Sequence, residues 1–158
     1  VSALVESWDG TNWTETTEIN TARSQAAAVG TGTASLLFGG DEHPGSPRLA
    51  NETESWNGTT WTELNNLNTA RRLVLNSGFG RQSQAILAGG YSTTRLASVE
   101  AWNGTSWSEI NDLSSTQQNK MGVGTGVAGM AAGGYTTTAI ATNEEFNVSD
   151  ELSTVTVS

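Results

Sequence analysis

The segment that decides the fold reads VEAWNGTSWSE and occupies residues 99–109. Two earlier stretches repeat it closely, as VESWDGTNWTE at residues 5–15 and as ESWNGTTWTE at residues 54–63. A shortened copy, EEFN, occupies residues 144–147, so that the leading aromatic residue of the motif recurs after 48, 46 and 44 residues. Self-similarity at a nearly fixed period indicates a repeat architecture.

Two further landmarks recur between the copies of this motif. A glycine pair follows an apolar stretch at residues 39–40, 89–90 and 133–134. The tetrapeptide NTAR occupies residues 20–23 and 68–71, whereas the third repeat reads SSTQ at residues 114–117 and lacks the arginine.

Each repeat predicts four short strands. In the second repeat they fall near residues 73–77, 84–88, 97–102 and 107–110, and Asn103-Gly104 predicts a type I′ hairpin turn between the last two. No segment sustains the apolar spacing of a helix, so almost no helix is expected. Four strands in a period of about 46 residues is typical of one blade of a β-propeller.

The strand count predicts an incomplete ring. Residues 1–20 hold two strands and read as half a blade; full blades are expected at about 21–66, 67–112 and 113–158, the last closed by a strand at residues 152–157. Closed propellers have roughly 4–8 blades, so three and a half blades fall short. We therefore expect a C-terminal piece of a longer chain that completes the propeller.

The order of these landmarks resembles the kelch family of β-propellers over roughly residues 3–147. The shared features are an arginine before the first strand, an apolar strand ending in Gly-Gly, an aromatic residue on the third strand and a tryptophan soon after. The third-strand aromatic is usually tyrosine in the family but is tryptophan here. The NGT-x-W wording and the ending STVTVS (residues 153–158) are also similar to structural proteins of marine bacteriophages.

The charge balance excludes several classes of partner. The chain carries 7 Lys and Arg against 16 Asp and Glu, for a net charge of -9. Nucleic acids and anionic membranes attract clustered cations, so we expect no nucleic-acid partner and no membrane insertion.

The residue counts also argue against an enzyme and a cofactor. Cysteine is absent, which excludes thiolate chemistry and Cys-based metal sites. His43 is the single histidine, which excludes His-rich metal sites. Some kelch-type propellers resemble oxidases with copper held by tyrosine and histidine, but two tyrosines and one histidine cannot assemble that site. We expect no cofactor and no catalytic residues.

The residues that recur in every repeat have a structural and a functional interpretation. Tryptophan pairs such as Trp102 and Trp107 could stack on sugars, but a residue needed in every blade is expected to pack between blades. The glutamate two positions before each aromatic residue could act in acid–base chemistry. We expect it instead to take a salt bridge or backbone N–H bonds, with the repeated Arg23 and Arg71 as candidate partners.

The residues that do not recur are better candidates for ligand contact. The first repeat takes 13 residues from its glycine pair to its glutamate, where the other two take 9, and this longer loop holds both prolines. Tyrosines follow the other two glycine pairs directly. The candidate contact residues are Asp41, Glu42, His43, Arg48, Tyr91 and Tyr135. The first three could bind a metal, but adjacent loop side chains seldom converge on one ion, so a rigid contact loop is expected and no metal.

Together these features favour a non-enzymatic structural or adhesion module of a virion, capsid- or tail-associated as the phage resemblance implies, or of another extracellular protein. The expected partners are other virion or surface subunits, or the remainder of its own chain, together with host-surface glycans. A glycan-binding propeller lectin and a kelch scaffold for protein partners remain open as alternatives.

Overall fold

The computed structural model describes residues 1–42 and 48–147. Within these residues the chain is all β, with 13 strands and no helix. The strands are β1 (Glu6–Trp8), β2 (Trp13–Glu15), β3 (Ala27–Thr31), β4 (Ala34–Phe38), β5 (Thr53–Trp56), β6 (Trp61–Glu63), β7 (Gly78–Arg81), β8 (Gln84–Ala88), β9 (Val99–Trp102), β10 (Trp107–Ile110), β11 (Met121–Gly124), β12 (Ala128–Ala132) and β13 (Asn143–Asn147).

The strands form one two-stranded sheet followed by three larger antiparallel sheets, each in simple chain order. We call β1–β2 the half blade, β3–β6 blade 1, β7–β10 blade 2 and β11–β13 blade 3. The first strands of successive blades contact one another, β3 against β7 and β7 against β11, so the sheets fan out from a common inner side. The predicted all-β, propeller-like fold with an incomplete ring is confirmed, while the predicted closing strand at residues 152–157 lies outside the described residues.

A pair of tryptophans stabilises the outer hairpin of the half blade, of blade 1 and of blade 2. The two rings stand directly across the strands from each other, with centroids 5.3–5.4 Å apart. Cross-strand aromatic pairs of this kind stabilise a hairpin and fix its register. The pairs are Trp8 with Trp13, Trp56 with Trp61 and Trp102 with Trp107.

The predicted type I′ turn between these strands is wrong. Gly104 has a positive φ of 95°, but Asn103 does not share it, and the loop spans all of residues 103–106. The Asn103 side chain accepts hydrogen bonds from the backbone N–H groups of Thr105 and Ser106, both at 2.9 Å. The asparagine is therefore selected for side-chain capping of a longer loop, which is the other reason for asparagine in turns.

The predicted first strand of blade 2 is also displaced. Residues 73–77 form a loop in which Leu73 and Asn76 have positive φ, and the strand begins at Gly78. Ser77, which is fully buried, donates its hydroxyl hydrogen to the carbonyl of Lys120 in the next blade, 3.0 Å away. Val74 of this loop is buried between blades 1 and 2, and the loop therefore has an apolar composition that resembles a strand.

The hydrophobic core lies between the blades rather than within one sheet. One buried cluster joins blade 1 to blade 2, where the ring of Trp107 meets Phe38 edge-on at 4.8 Å. A second cluster joins blade 2 to blade 3 around Phe79, Ile86 and Phe146. Gly129 lies under Phe79 so closely that an added Cβ would stand 2.4 Å from the ring. Each blade thus shields the apolar face of its neighbour.

The described residues include no helix of the length and apolar character that a membrane span requires.

Candidate functional site

In blades 1 and 2 the repeated glutamate and arginine form a buried ion pair. In blade 2, Arg71 Nη2 lies 2.6 Å from Glu100 Oε1, and both side chains are almost fully buried. The other guanidinium nitrogen, Nη1, donates to the carbonyls of Gly89 and Ser98 at 3.0 and 2.9 Å. The pair ties the glycine turn at the end of β8 to β9. The structural interpretation of these repeated charges is confirmed.

Blade 1 repeats this arrangement with Arg23 and Glu54. Blade 3 reaches it by a different route, since Gln117 occupies the arginine position and Lys120 supplies the cation instead. Lys120 Nζ lies 3.1 Å from Glu144 Oε1, and both side chains are buried. The loss of the arginine was predicted from the sequence, but its replacement by Lys120 was not. The available signal was that Lys120, three residues after Gln117, is the single lysine of the chain.

Burial and hydrogen bonding shift the pKa values of Arg71 and Glu144 in these pairs. Burial lowers the pKa of Arg71, while the charge and hydrogen bond of Glu100 oppose that shift. Burial alone would raise the pKa of Glu144, but hydrogen bonds from the backbone N–H of Ser114 and from Lys120 outweigh it and hold the pKa below its ordinary value. A buried carboxylate that accepts from several donors stays ionised and holds the backbone around it in place.

Three of the six repeated tryptophans are buried in packing contacts. Trp56, Trp102 and Trp107 are buried. Trp102 Nε1 donates to the carbonyl of Gln82 at 3.0 Å, and Trp107 Nε1 donates to Thr53 Oγ1 of the preceding blade at 2.9 Å. Packing between blades is therefore confirmed for Trp102 and Trp107, which belong to the buried cluster that joins blades 1 and 2.

Three of the six candidate contact residues occupy equivalent positions in successive blades. Asp41, Tyr91 and Tyr135 each follow their glycine pair directly and each make two isolated β-bridges in the connection to the next strand. Tyr91 bridges Arg72 and Arg95 in this way. The connections therefore lie on one side of the fan and bring the three candidates into one line.

Two arginines join these candidates across the blade boundaries. Arg72 Nη1 of blade 2 lies 3.2 Å from Asp41 Oδ2 of blade 1, and its guanidinium carbon stands 5.3 Å from the centre of the Tyr91 ring. Arg95 of blade 2 stands at the same distance, 5.3 Å, over Tyr135 of blade 3. We call Asp41, Arg72, Tyr91, Arg95 and Tyr135 the Tyr–Arg row.

The two arginines of this row were not predicted from the sequence. Arg72 could have been found as the second cation of an arginine pair, whereas Arg95 carries no repeat signal, because its counterpart in blade 1 is Leu49. The row presents a Tyr135 residue that is 41% exposed, whereas the Asp41 side chain is 7% exposed. Rings held in place by cations offer flat, ordered faces for a ligand.

The remaining candidates lie in the longer loop of blade 1. Glu42 Oε2 accepts from Arg48 Nε at 3.0 Å, and His43 lies outside the described residues. Burial raises the pKa of Glu42, and the hydrogen bond and charge of Glu52 raise it further. Among the described residues no group of three His, Asp or Glu side chains is placed to hold a metal ion.

No protein-family model matches the chain. No curated protein matches it either. The fold itself is found among solved structures, of which 121 chains match. One of them is described as the structure of YjhT; it is 18% identical, has a TM-score of 0.79, and the match covers 99% of this chain and 52% of that one. The chain thus spans about half the length of that structure, and likeness at this identity shows the fold alone.

Proposed function

We propose that this chain is a non-enzymatic adhesion module, a kelch-like propeller segment of a virion or other extracellular protein, which binds its ligand through the Tyr–Arg row. The observation that carries the proposal is the division of labour among the side chains. The charges that recur in blades 1–3 are buried in ion pairs, whereas Tyr91, Tyr135 and the arginines stacked on them keep part of their surface exposed across blades 2 and 3.

The chemistry of the row favours a carbohydrate ligand. A pyranose ring presents an apolar C–H face that stacks on tyrosine and hydroxyl groups that bond to guanidinium and carboxylate. Tyr135 offers the more exposed ring, and Arg95 holds it from below. Several such weak contacts, repeated in neighbouring blades or in neighbouring copies of the protein, add up to strong attachment.

Glycan-array binding of the purified chain tests this proposal. Tyr135→Ala and Tyr91→Ala should each weaken binding about three- to tenfold, the loss expected for one stacked ring. Ser108→Ala is the matched control, since Ser108 is exposed on β10 and belongs to no part of the row. Equal binding by all four proteins, or absence of binding to any glycan, would refute the carbohydrate role.

The proposed setting has a separate test. Peptide mass mapping of intact purified virus particles or extracellular assemblies from the source should recover this sequence. Recovery from a cytosolic pool would contradict an adhesion role and would favour the scaffold for protein partners.

A further inference from the structure

Among the described residues the half blade has an unpaired inner edge, whereas blades 1 and 2 have complete four-stranded sheets. In blades 1 and 2 the third strand, β5 or β9, is paired on both sides, whereas its counterpart β1 pairs with β2 alone. Glu6 occupies the position of Glu54 and Glu100 on this strand, but it is exposed and has no ion-pair partner among the described residues. The edge therefore carries this carboxylate without the buried cation that pairs with it in blades 1 and 2.

Backbone groups along the same edge repeat the pattern. In blades 1, 2 and 3 the first glycine of the pair donates its N–H to the carbonyl two residues before the glutamate, over 2.8–3.1 Å. Arg71 Nη1 bonds to that carbonyl as well, at Ser98. The counterpart of Ser98 in the half blade is Leu4, which is 61% exposed. The edge thus offers the carbonyl of Leu4 and the carboxylate of Glu6. In blade 2 the equivalent two groups are bound by an arginine and by a strand that ends in Gly-Gly.

The facing surface of blade 1 is uncovered in the same place. Leu87 and Trp107 of blade 2 are buried against blade 1, whereas their counterparts Leu37 and Trp61 in blade 1 are partly exposed. The ring of Trp107 rests on Phe38, a residue of the second strand of the preceding blade. Trp61 faces the half blade, which has no second strand among the described residues.

Two grooves mark the uncovered volume. One, of about 390 Å³, is lined by Trp8, Trp13, Trp56 and Trp61, and the other, of about 350 Å³, by Leu4, Ile19, Leu37 and Leu75 among others. Trp8 and Trp13 are 50% and 64% exposed, against 2% and 5% for Trp102 and Trp107. An edge strand with exposed aromatic rings is a site for strand addition.

We propose that this edge binds one specific partner, a two-stranded β-hairpin with the pattern of the inner strands of blades 1 and 2. The hairpin pairs with β1, ends in Gly-Gly opposite Leu4, and places an arginine or lysine ahead of its first strand to pair with Glu6. An apolar side chain on its second strand covers Trp61, as Phe38 covers Trp107.

An extended chain tests the proposal directly. A copy of residues 69–94 fused ahead of Val1 would set its arginine 29 residues before Glu6, the same interval that separates Arg71 from Glu100. The expected result is a blue shift of tryptophan emission and a higher melting temperature. Glu6→Gln should then lower the folding equilibrium constant of the extended chain about a hundredfold or more, as removal of one partner of a buried pair does. In the unextended chain the same substitution should change it by less than about threefold.

The matched control is the same extension with Arg71→Ala in the added copy. It should lose the stabilisation to the same extent as Glu6→Gln, and the double variant should lose no more than either, because the two changes remove one interaction.

A synthetic peptide of residues 69–94, added to the unextended chain, decides the matter if the fusion fails to fold. One-to-one binding that Glu6→Gln weakens about tenfold or more would support the proposal. It is overturned if the peptide neither binds nor shifts the tryptophan emission, if binding is indifferent to Glu6, or if the unextended chain self-associates and buries Trp8 and Trp13 against a second copy.

Discussion

Glu100→Gln should destabilise the protein far more than the same change at any exposed glutamate. Glu100 is 1% exposed and accepts from Arg71 Nη2 at 2.6 Å, from the backbone and side chain of Asn68 at 2.7 and 2.9 Å, and from the N–H of Thr69 at 3.2 Å. A glutamine has the same shape but one acceptor oxygen, and its NH₂ group would face one of these donors.

The magnitude follows from the cation that remains. Arg71 is fully buried, so its charge would lose its counter-ion without gaining water. Breaking a buried pair in this way costs about 3–5 kcal/mol. In a chain of this size each kcal/mol lowers Tm by about 2–4 °C, so the melting temperature should fall by roughly 6–20 °C.

Urea unfolding followed by tryptophan fluorescence measures the effect, because Trp102 and Trp107 are buried in the same blade. The midpoint should move while the slope stays constant, which separates lost stability from a changed unfolding transition.

Glu6→Gln is the matched control, since Glu6 holds the same repeat position but is exposed. It should change stability by less than about 0.5 kcal/mol. Equal effects at the two positions, or an effect of Glu100→Gln below about 1 kcal/mol, would refute the assignment of the repeated glutamate to a buried structural pair.

Two further perturbations test other parts of the structure. Donated hydrogen bonds hold the pKa of Glu144 below its ordinary value against the effect of burial, so its pairing should stabilise the fold above the unfolded pKa of about 4.3 and be lost as the pH falls through the lower folded value. Urea midpoints of the wild type and Glu144→Gln should therefore converge on acidification, and a constant gap would contradict this. Gly40→Ala should cost more than Gly10→Ala in thermal unfolding, because both have positive φ (114° and 101°) but only at Gly40 would the Cβ meet a backbone atom, Ser24 O at 2.7 Å. A larger loss at Gly10 would show that the close approach is unimportant.

The period of the repeat, the antiparallel hairpins and the position of most strands could be predicted from the sequence. Strands β8 and β10 begin and end at the residues predicted from the repeat pattern. This succeeded because those features depend on neighbours along the chain, and each repeat carries its own copy of the signal. The structural role of the recurring glutamate could be predicted for the same reason, because a residue that recurs in every repeat is expected to make the same structural contact in each blade.

Contacts between blades could be decided only by the tertiary structure. Lys120 replaces an arginine from a different sequence position, because what the blade requires is a cation near Glu144 and not a residue at a fixed site. The stretch at 73–77 contains Val74, which is buried in the cluster between blades 1 and 2, so its composition could not distinguish a loop from a strand. Arg72 and Arg95 acquire their place in the Tyr–Arg row from neighbours on other blades. The sequence alone determined the blade as a unit, whereas the stacking of blades, which brings distant side chains within a few ångströms, determined the surface that a ligand would meet.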